Sequence, residues 1–255
     1  MPENYEPTLF DQPDVPSELL NTPLPHWAQR VAVFDLETTG LDLATARIVT
    51  ACVVVIDEHG QIVSEELEWL ANPGVPIPEQ ASNVHGVTDD IASAQGRPAA
   101  EVVSEILDAL RGYFAEGIPV VAYNAPYDFT ILQAEALRYS LAPLESPQPV
   151  MDPLVLDKTF DKYRSGKRNL EVVAQLYGVE LMDAHNATAD AVAAGRVLQA
   201  IVRKYSAKLP ATAKELHDLQ VGWSEALDQN FEEFRRRSVP DFQVLRGWPV
   251  KPLNS

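Results

Sequence analysis

The order of its apolar segments constrains the fold of this chain more than any other feature. Segments rich in β-branched residues predict three consecutive strands, over residues 31–36, 47–57 and 61–70. The tetrapeptide DEHG between the last two is a hairpin turn signal. Three predicted strands therefore precede the first predicted helix in the sequence.

Downstream of these strands the pattern alternates between helix and strand. The predicted helices are 98–114, 126–141, 169–179 and 187–205, and the predicted strands are 118–124 and 149–157. Three strands followed by such alternation indicate an α/β fold, with a mixed sheet and helices on its faces. Aromatic residues beyond position 205 predict an ordered helical extension. These are Trp223, Phe231, Phe234, Phe242 and Trp248.

Composition divides the chain into three parts. Residues 1–27 are rich in proline and acidic residues, show no periodicity, and are expected to form a disordered lead-in. Residues 28–204 carry the regular pattern and are predicted to be the catalytic domain, followed by the C-terminal extension 205–255. A hydrophobic content of 46% is ample for a core without disulfides.

The cysteine content and the N-terminus bear on the cellular compartment. The single cysteine, Cys52, lies in an apolar segment and is predicted to be a buried thiol, so a disulfide framework is excluded. The N-terminus has neither the basic start nor the apolar centre of a signal peptide, and no run of eighteen apolar residues occurs. We expect a cytoplasmic protein that is not attached to a membrane.

The formal net charge of −17, taken alone, argues against nucleic acid as a partner, because phosphate binding needs positive charge. Two local clusters oppose this argument, KTFDKYRSGKR at 158–168 and RRR at 235–237. Each cluster is either solvated protein surface or a contact for nucleic acid, and the sequence leaves both alternatives open.

Two acidic residues lie at the end of the first predicted apolar strand. The strand over 31–36 leads into FDLETTG, and it places Asp35 and Glu37 two residues apart, on one face of a strand. Two adjacent carboxylates repel each other, and burying them costs several kcal/mol per ion unless a cation compensates. The motif therefore predicts a bound cation.

Further acidic residues follow later strands or open later helices. Asp128 lies at the start of a helix after the strand 118–124, and Asp190 lies at the start of another helix. Active sites of α/β sheets collect at strand ends and adjoining helix starts, so the four carboxylates are expected to converge. Mg²⁺ and Mn²⁺ take such oxygen ligands, and a pair of these ions suits in-line displacement at phosphorus.

Three motifs now support a family resemblance. FDLETTG (34–40), YNAPYDF (123–129) and HNATADA (185–191) resemble, in order, the motifs of the DEDDh exonucleases, the group that includes the proofreading subunit of bacterial replicative DNA polymerase. ASNVHGVTDD and KRNLEVVAQLYGV are similar to the segments between those motifs. The resemblance implies a ribonuclease H-like fold with a mixed five-stranded sheet, flanking helices and, here, a C-terminal helical extension.

The resemblance also implies the chemistry. Asp35, Glu37, Asp128 and Asp190 would hold two Mg²⁺ or Mn²⁺ ions, and His185 would be the general base that activates the attacking water. The implied reaction removes nucleoside 5′-monophosphates from the 3′ ends of single-stranded or frayed nucleic acid. A histidine five residues before the last aspartate is the mark of this branch.

Family positions that contact the terminal nucleotide correspond to Leu36, Thr38 and Thr39. Phe129, beside Asp128, is either a wedge against a base or a core residue, and both alternatives stay open. His85 precedes a glycine in a predicted turn, so a structural hydrogen bond is expected there instead of a contact with substrate.

Alternatives remain for the substrate and the biological role. DNA is favoured, but the family also includes exoribonucleases that trim RNA 3′ ends. A proofreading or clamp-associated subunit that acts mainly in assembly is the second alternative. In support, EPTLF (6–10) resembles peptides that dock on the bacterial sliding clamp. Truncation after residue 205 would then abolish association and leave hydrolysis unchanged. A structural Ca²⁺ site is a third alternative, in which His185 has no purpose.

Overall fold

The computed structural model describes residues 22–181 and 187–253 of the chain. Within these residues one six-stranded sheet has the order β4-β3-β2-β1-β5-β6. The strands are β1 (Val31–Thr38), β2 (Ile48–Ile56), β3 (Leu67–Asn72), β4 (Arg97–Pro98), β5 (Val120–Val121) and β6 (Val150–Met151). β1 pairs antiparallel with β2 and parallel with β5. The predicted mixed sheet is therefore confirmed, and the two-residue β4 adds a sixth strand at one edge.

Helices cover both faces of this sheet. In the described residues they are α1 (Glu79–His85), α2 (Asp89–Gln95), α3 (Ala99–Ala115), α4 (Pro126–Arg138), α5 (Pro153–Phe160), α6 (Leu170–Leu176), α7 (Ala187–Lys204) and α8 (Ala213–Arg236). One core cluster joins the sheet to α3 and α4. A second core cluster joins the opposite face to α6 and α7.

The side chains of β1 alternate between these two cores. Phe34 and Leu36 pack with α3 and α4, whereas Val31 and Val33 pack with α7. Residues two apart in a strand share a face, so Asp35 continues the face that α7 covers. This alternation places the acidic end of β1 under the first turn of α7.

A glycine lets α7 lie close to the sheet. A Cβ atom at Gly195 would stand 2.5 Å from both Val33 Cγ1 and Ile56 Cδ1. At the other end of the contact, Gln199 Nε2 donates to the carbonyls of Ala28 and Asp57, which fixes the register of α7 on β1 and β2. The helix therefore runs antiparallel to β1, with its N-terminus at the acidic end of the strand.

Replacing Gly195 by alanine is expected to lower the free energy of unfolding by about 1–3 kcal/mol, because the added methyl group overpacks the contact between α7 and the sheet. The matched control is Gly112→Ala in α3, where no atom lies within 4 Å of the added Cβ. The control should be neutral or stabilising through helix propensity. Urea unfolding of both variants makes the comparison, and equal stabilities would contradict the close packing.

The strand predicted over 149–157 is wrong beyond its third residue, Met151. β6 spans only Val150–Met151, and α5 begins at Pro153. The Asp152 carboxylate accepts a hydrogen bond from the Leu154 N–H, which caps the helix, and proline is favoured in the first turn. The apolar residues 154–156 are therefore helical, although their composition is that of a strand.

Two other differences lie earlier in the chain. The third strand begins at Leu67 instead of residue 61, because only Ile62 forms an isolated bridge to β2 before that point. Between β3 and α3, where the sequence predicts a loop, the short helices α1 and α2 occur. Thr88 caps α2 by accepting a hydrogen bond from the Ile91 N–H.

The boundary of the lead-in at residue 27 stays a prediction. Leu24 and Trp27, just before it, are buried in the core cluster that also contains α7 residues. Residues 1–21, with the EPTLF segment, lie outside the described residues. Among the described helices, none has both the length and the apolar character needed to cross a membrane.

The C-terminal extension is part of the fold. The Val150 N–H donates to Nδ1 of His217, and the Asp152 N–H donates to Oε1 of Gln220, at 3.1 and 2.8 Å. Nε2 of Gln220 in turn donates to the Val150 carbonyl. Side chains of α8 thus bond the backbone of β6 as a neighbouring strand would, and protect this edge of the sheet.

Candidate active site

The four predicted carboxylates reach one edge of the sheet from three elements. Asp35 and Glu37 lie near the C-terminal end of β1, Asp128 lies in the first turn of α4, and Asp190 lies in the first turn of α7. Because β5 is parallel to β1, the helix that follows β5 starts at the same edge. Asp35, Glu37, Asp128 and Asp190 therefore lie toward the same edge of the sheet, and their common role as metal ligands stays a prediction.

The electrostatics of Asp35 show how close these groups are. Its pKa is held well above the ordinary range, first by burial and then by the negative charges of Asp128, Glu37 and Asp190. The other three carboxylates are thus close enough to Asp35 for their charges to raise its pKa. A raised pKa also means that no cation among the described residues compensates the charge of Asp35.

Glu37 and Asp128 are perturbed in the same direction. Burial and the charge of Asp190 raise the pKa of Glu37 to about 7. Burial is the largest cause that raises the pKa of Asp128, whose side chain is 2% exposed. The site is therefore a cluster of acids that, when ionised, destabilise one another.

A hydrogen bond links the two acidic elements directly. The Leu36 N–H, between the two acids of β1, donates to Oδ1 of Asp128 at 3.1 Å. This bond fixes the first turn of α4 against the end of β1.

A buried aspartate that the sequence analysis did not single out holds the start of α4. Asp152 accepts hydrogen bonds from the backbone N–H groups of Asn124 and Ala125, both at 3.0 Å, in the loop that leads into α4. It also accepts one from Nε1 of Trp248, in the C-terminal extension, at 3.3 Å. Asp152 therefore connects the extension to the helix that carries Asp128. Asp followed by Pro is a helix-start signal that could have revealed part of this role.

A second network closes the loop after β1. The hydroxyls of Thr38 and Tyr127 lie 2.5 Å apart, and each donates to the Gly40 carbonyl at 2.8 Å. The hydroxyl of Thr39 accepts a hydrogen bond from the Arg47 N–H. These contacts shape the rim of the site, and no pattern in the sequence indicated the role of Tyr127.

The predicted substrate contacts therefore differ in their surroundings. Thr39 is partly exposed at the rim, whereas the Leu36 and Thr38 side chains are buried. Phe129 is 2% exposed, and its ring packs edge-on against Phe34 with centroids 5.5 Å apart. The structure favours the core alternative for Phe129 over a wedge against a base.

The two predicted histidines have different outcomes. His85 Nδ1 accepts a hydrogen bond from the Val87 N–H within the turn at Gly86, which confirms the structural role expected for it. Nε2 of His85 is buried and has no hydrogen-bond partner among the described residues. His185 lies outside the described residues. Its role as general base stays a prediction.

Carboxylate oxygens are the donor set that hard divalent cations prefer, and burial and like charges raise the pKa values of Asp35, Glu37 and Asp128. The residues present thus fit a divalent cation in chemistry. As they stand, residues 22–181 and 187–253 contain no group of three or more His, Cys, Asp or Glu side chains that could hold a metal ion. A cation would accordingly have to draw the carboxylates closer together.

The first basic cluster is largely structural. Arg164 and Arg168 each place a guanidinium nitrogen 2.6 Å from Oδ2 of Asp157, which is fully buried. Burial lowers the pKa of Lys158. Three of the five basic side chains in the 158–168 segment therefore serve the fold, and only Lys162 and Lys167 are exposed.

Cys52 is buried, as predicted. Burial raises the pKa of its thiol to about 12, although a hydrogen bond from the Thr188 hydroxyl acts in the opposite direction. The thiol is therefore protonated at neutral pH and is not a nucleophile.

Comparison with known proteins agrees with this site. Residues 32–198 match the family described as RNase_T, Exonuclease. The match covers more than half of the chain and contains all four carboxylates. The chain therefore belongs to this exonuclease family, and the predicted nuclease is confirmed at that level.

Two relatives of this chain are named as DNA polymerase III proteins. The chain is 30% identical over 196 residues to a DNA polymerase III PolC-type protein of Lacticaseibacillus paracasei, covering 76% of this chain and 13% of that protein. It is 31% identical over 180 residues to a DNA polymerase III subunit epsilon-like protein of Rhodobacter capsulatus, covering 69% of this chain and 24% of that one. The chain thus spans a quarter or less of these relatives.

Among solved structures, the zinc-bound complex of E. coli exonuclease I with single-stranded DNA is similar to this fold. The TM-score is 0.58 at 18% identity, over 71% of this chain and 41% of that chain. At this identity the likeness concerns the fold alone. It confirms the ribonuclease H-like architecture.

Proposed function

We propose that this protein is a 3′–5′ exonuclease that removes nucleoside 5′-monophosphates from single-stranded or frayed DNA, using two Mg²⁺ or Mn²⁺ ions. The proposal depends on one observation above all. Asp128 and Asp190 join Asp35 and Glu37 at one edge of the sheet, and burial together with these negative charges raises the pKa of Asp35. Such a cluster carries a cost in stability that a catalytic metal site would explain.

Each acidic side chain has a defined part in this proposal. Asp35, Glu37, Asp128 and Asp190 would hold the ions, which supply a more acidic attacking water and stabilise the leaving oxygen. The bond from the Leu36 N–H orients Asp128 before any ion binds. His185, close in sequence to Asp190, would take the proton of the attacking water.

DNA is the proposed substrate because the relatives are named as DNA polymerase III proteins and the similar fold was solved with single-stranded DNA. An exoribonuclease that trims RNA 3′ ends is the alternative that the experiment below decides. The 2′-hydroxyl is sensed by few contacts, and Thr39 at the rim is the predicted contact that stays partly exposed.

The binding partners and the cellular location are also proposed and not observed. A replication polymerase or sliding clamp as partner, and a cytoplasmic location without membrane attachment, stay predictions from the sequence. The proposed exonuclease domain covers the residues expected from the sequence, 28–204, together with the buried residues just before them. The extension beyond residue 205 is proposed to support this domain, instead of acting mainly in assembly.

End-labelled oligonucleotides test the proposal directly. Matched DNA and RNA strands, each labelled at the 5′ end, would be incubated with the full chain and Mg²⁺, Mn²⁺ or EDTA. We expect a ladder of 5′-labelled products shortened one nucleotide at a time, with either metal and not with EDTA. DNA should be degraded faster than RNA.

The polarity control is a strand labelled at the 3′ end, which should release labelled mononucleotide at once and show no ladder. His185→Ala should slow hydrolysis at least about a hundredfold if His185 is the general base. Cleavage that starts at the 5′ end, or no cleavage of either polymer with either metal, would contradict the proposal.

A further inference from the structure

The last turns of α8 expose aromatic rings that the fold does not need. The first part of the helix is packed through Leu216 and Gln220, but Phe231 and Phe234 are 48% and 62% exposed. Val239 and Leu245, in the segment after the helix, are exposed as well. Four large apolar side chains within fifteen residues thus form a surface open to solvent.

Arginine side chains lie on these rings. The guanidinium of Arg235 is 5.1 Å from the ring centroid of Phe242, and that of Arg237 is 6.0 Å from the ring centroid of Phe234. Phe231 and Phe242 meet edge-on, with centroids 5.7 Å apart. We call Phe231, Phe234, Arg235, Arg237 and Phe242 the Arg–Phe patch.

The patch is held in shape by a buried acid. Glu232 pairs with Arg236 at 2.7 Å and Arg246 at 3.3 Å, and it accepts a hydrogen bond from the Val244 N–H. These contacts fold the segment after α8 back onto the helix. In the described part of the chain no carboxylate pairs with Arg235 or Arg237, so their charges are available to a ligand.

The segment that carries the patch is slightly basic, whereas the whole chain is strongly acidic. Residues 231–246 contain four arginines and three acids, whereas the whole chain carries −17. Open aromatic faces beside arginines suit the bases and phosphates of a single strand, because stacking is tolerant of sequence and guanidinium groups neutralise phosphate.

The middle of α8 packs beside α5, the helix that follows β6. Trp223 contacts Phe160 at the end of α5, with centroids 5.5 Å apart. The positive charges of Lys251 and Lys158 act on Asp228, which therefore lies near both lysines. The residues after Asp228 continue the helix for about 12 Å and carry the patch.

The chain then returns to the helix of Asp128. Trp248 bonds Asp152, and the Lys251 N–H donates to Oγ1 of Thr130, two residues after Asp128, at 2.9 Å. β6 lies two strands from β1, which is about 10 Å. The segment that follows the patch therefore returns to the start of the helix that carries Asp128.

We propose that the Arg–Phe patch binds single-stranded nucleic acid on the 5′ side of the 3′ end held at the carboxylates. This inference rests on the proposed exonuclease function and names a second contact for the same substrate. The rings would stack on bases, and Arg235 and Arg237 would neutralise phosphates.

The test compares a triple variant, Phe234→Ala with Arg235→Gln and Arg237→Gln, with the wild type. The matched control is Lys214→Gln, an exposed cation in the first turn of the same helix. Binding of labelled oligothymidylates of about 4 and about 20 nucleotides would be measured by anisotropy in EDTA, where hydrolysis cannot interfere. Thermal melting would check that each variant is folded.

We expect the triple variant to bind the long strand at least about fivefold more weakly and the short strand as the wild type does. The salt dependence of log Kd for the long strand should fall by about 1.4, because two phosphate contacts are lost. In hydrolysis, KM for the long strand should rise with kcat unchanged. Lys214→Gln should match the wild type in each assay.

Equal affinity of wild type and triple variant for the long strand would overturn the proposal, and so would an equal loss for both lengths. Absence of hydrolysis with normal binding in EDTA would instead contradict the proposed function and leave the patch as a binding surface. The two failures are therefore distinguishable.

Discussion

Replacing Asp35 by asparagine is expected to reduce hydrolysis of 3′ ends by at least about a thousandfold and, at the same time, to stabilise the metal-free protein. The loss of activity follows from the loss of an anionic ligand. The gain in stability follows because burial and then the charges of three carboxylates raise the pKa of Asp35, so its negative charge opposes folding at neutral pH. We expect the gain to be about 1–3 kcal/mol.

The pH dependence of stability has a defined sign. The pKa of Glu37 is about 7 in the folded protein, above the ordinary value of 4.5, and that of Asp35 is raised as well. The folded state therefore binds more protons than the unfolded state between these values, and stability falls as pH rises through about 7. The metal-free wild type should thus be more stable at pH 5.5 than at pH 8.

Thermal melts in EDTA at both pH values test this directly. Asp35→Asn should show a smaller loss between pH 5.5 and 8 than the wild type, and added Mg²⁺ or Mn²⁺ should restore the wild type at pH 8. Asp108→Asn, an exposed acid on α3, is the matched control and should change stability by less than about 0.5 kcal/mol. A variant that keeps a tenth of the activity, or that melts below the wild type at pH 8, would contradict the metal site.

The convergence of the carboxylates could be predicted because it depends on local rules. Asp35 and Glu37 follow a β-branched strand, and Asp128 opens a helix after a neighbouring parallel strand, so topology alone brings them to one edge. The family motifs supplied the pairing with Asp190. Each of these signals is contained within a few residues of the chain.

The supporting contacts could not be predicted, because each depends on residues far apart in sequence. The partner of the Asp152 backbone is Gln220, 68 residues later, and the indole that donates to its carboxylate is 96 residues away. The prediction of a strand over 149–157 is wrong from Asp152 onward for the same reason. Tertiary contacts from α8 stabilise Asp152 as a helix cap there, which overrides the strand propensity of the valine and leucines that follow.

Truncation after residue 205 is the second change with a large expected effect, and this effect also depends on contacts between distant residues. From the sequence alone, one alternative is that the truncated chain keeps its hydrolytic activity. The structure predicts instead that the truncated chain is mostly unfolded. Removing α8 would expose apolar core at Leu216 and Ala213, which are buried against the sheet and its helices. It would also leave the Val150 and Asp152 backbone groups without partners.

These losses are large compared with the stability of a domain. Each buried polar group without a partner costs about 1–3 kcal/mol, and each large apolar side chain that is lost costs about 2–5 kcal/mol. Their sum approaches the about 5–15 kcal/mol that holds a typical domain together. Circular dichroism and urea unfolding of the chain ending at residue 205 measure the effect, and a cooperative transition like that of the full chain would contradict it.

Because a truncated chain that fails to fold reveals little about the site, Gln220→Met provides the finer measurement. Methionine keeps the shape of the side chain and removes the bonds to the Asp152 N–H and the Val150 carbonyl, so we expect a loss of about 2–4 kcal/mol. Gln229→Met, on the exposed side of the same helix, is the matched control and should be neutral. Since Gln220 bonds the backbone of Asp152, which holds the start of the helix carrying Asp128, kcat should also fall in Gln220→Met under conditions where the variant is fully folded. An unchanged kcat in folded Gln220→Met would show that the extension stabilises the sheet edge without positioning the carboxylates.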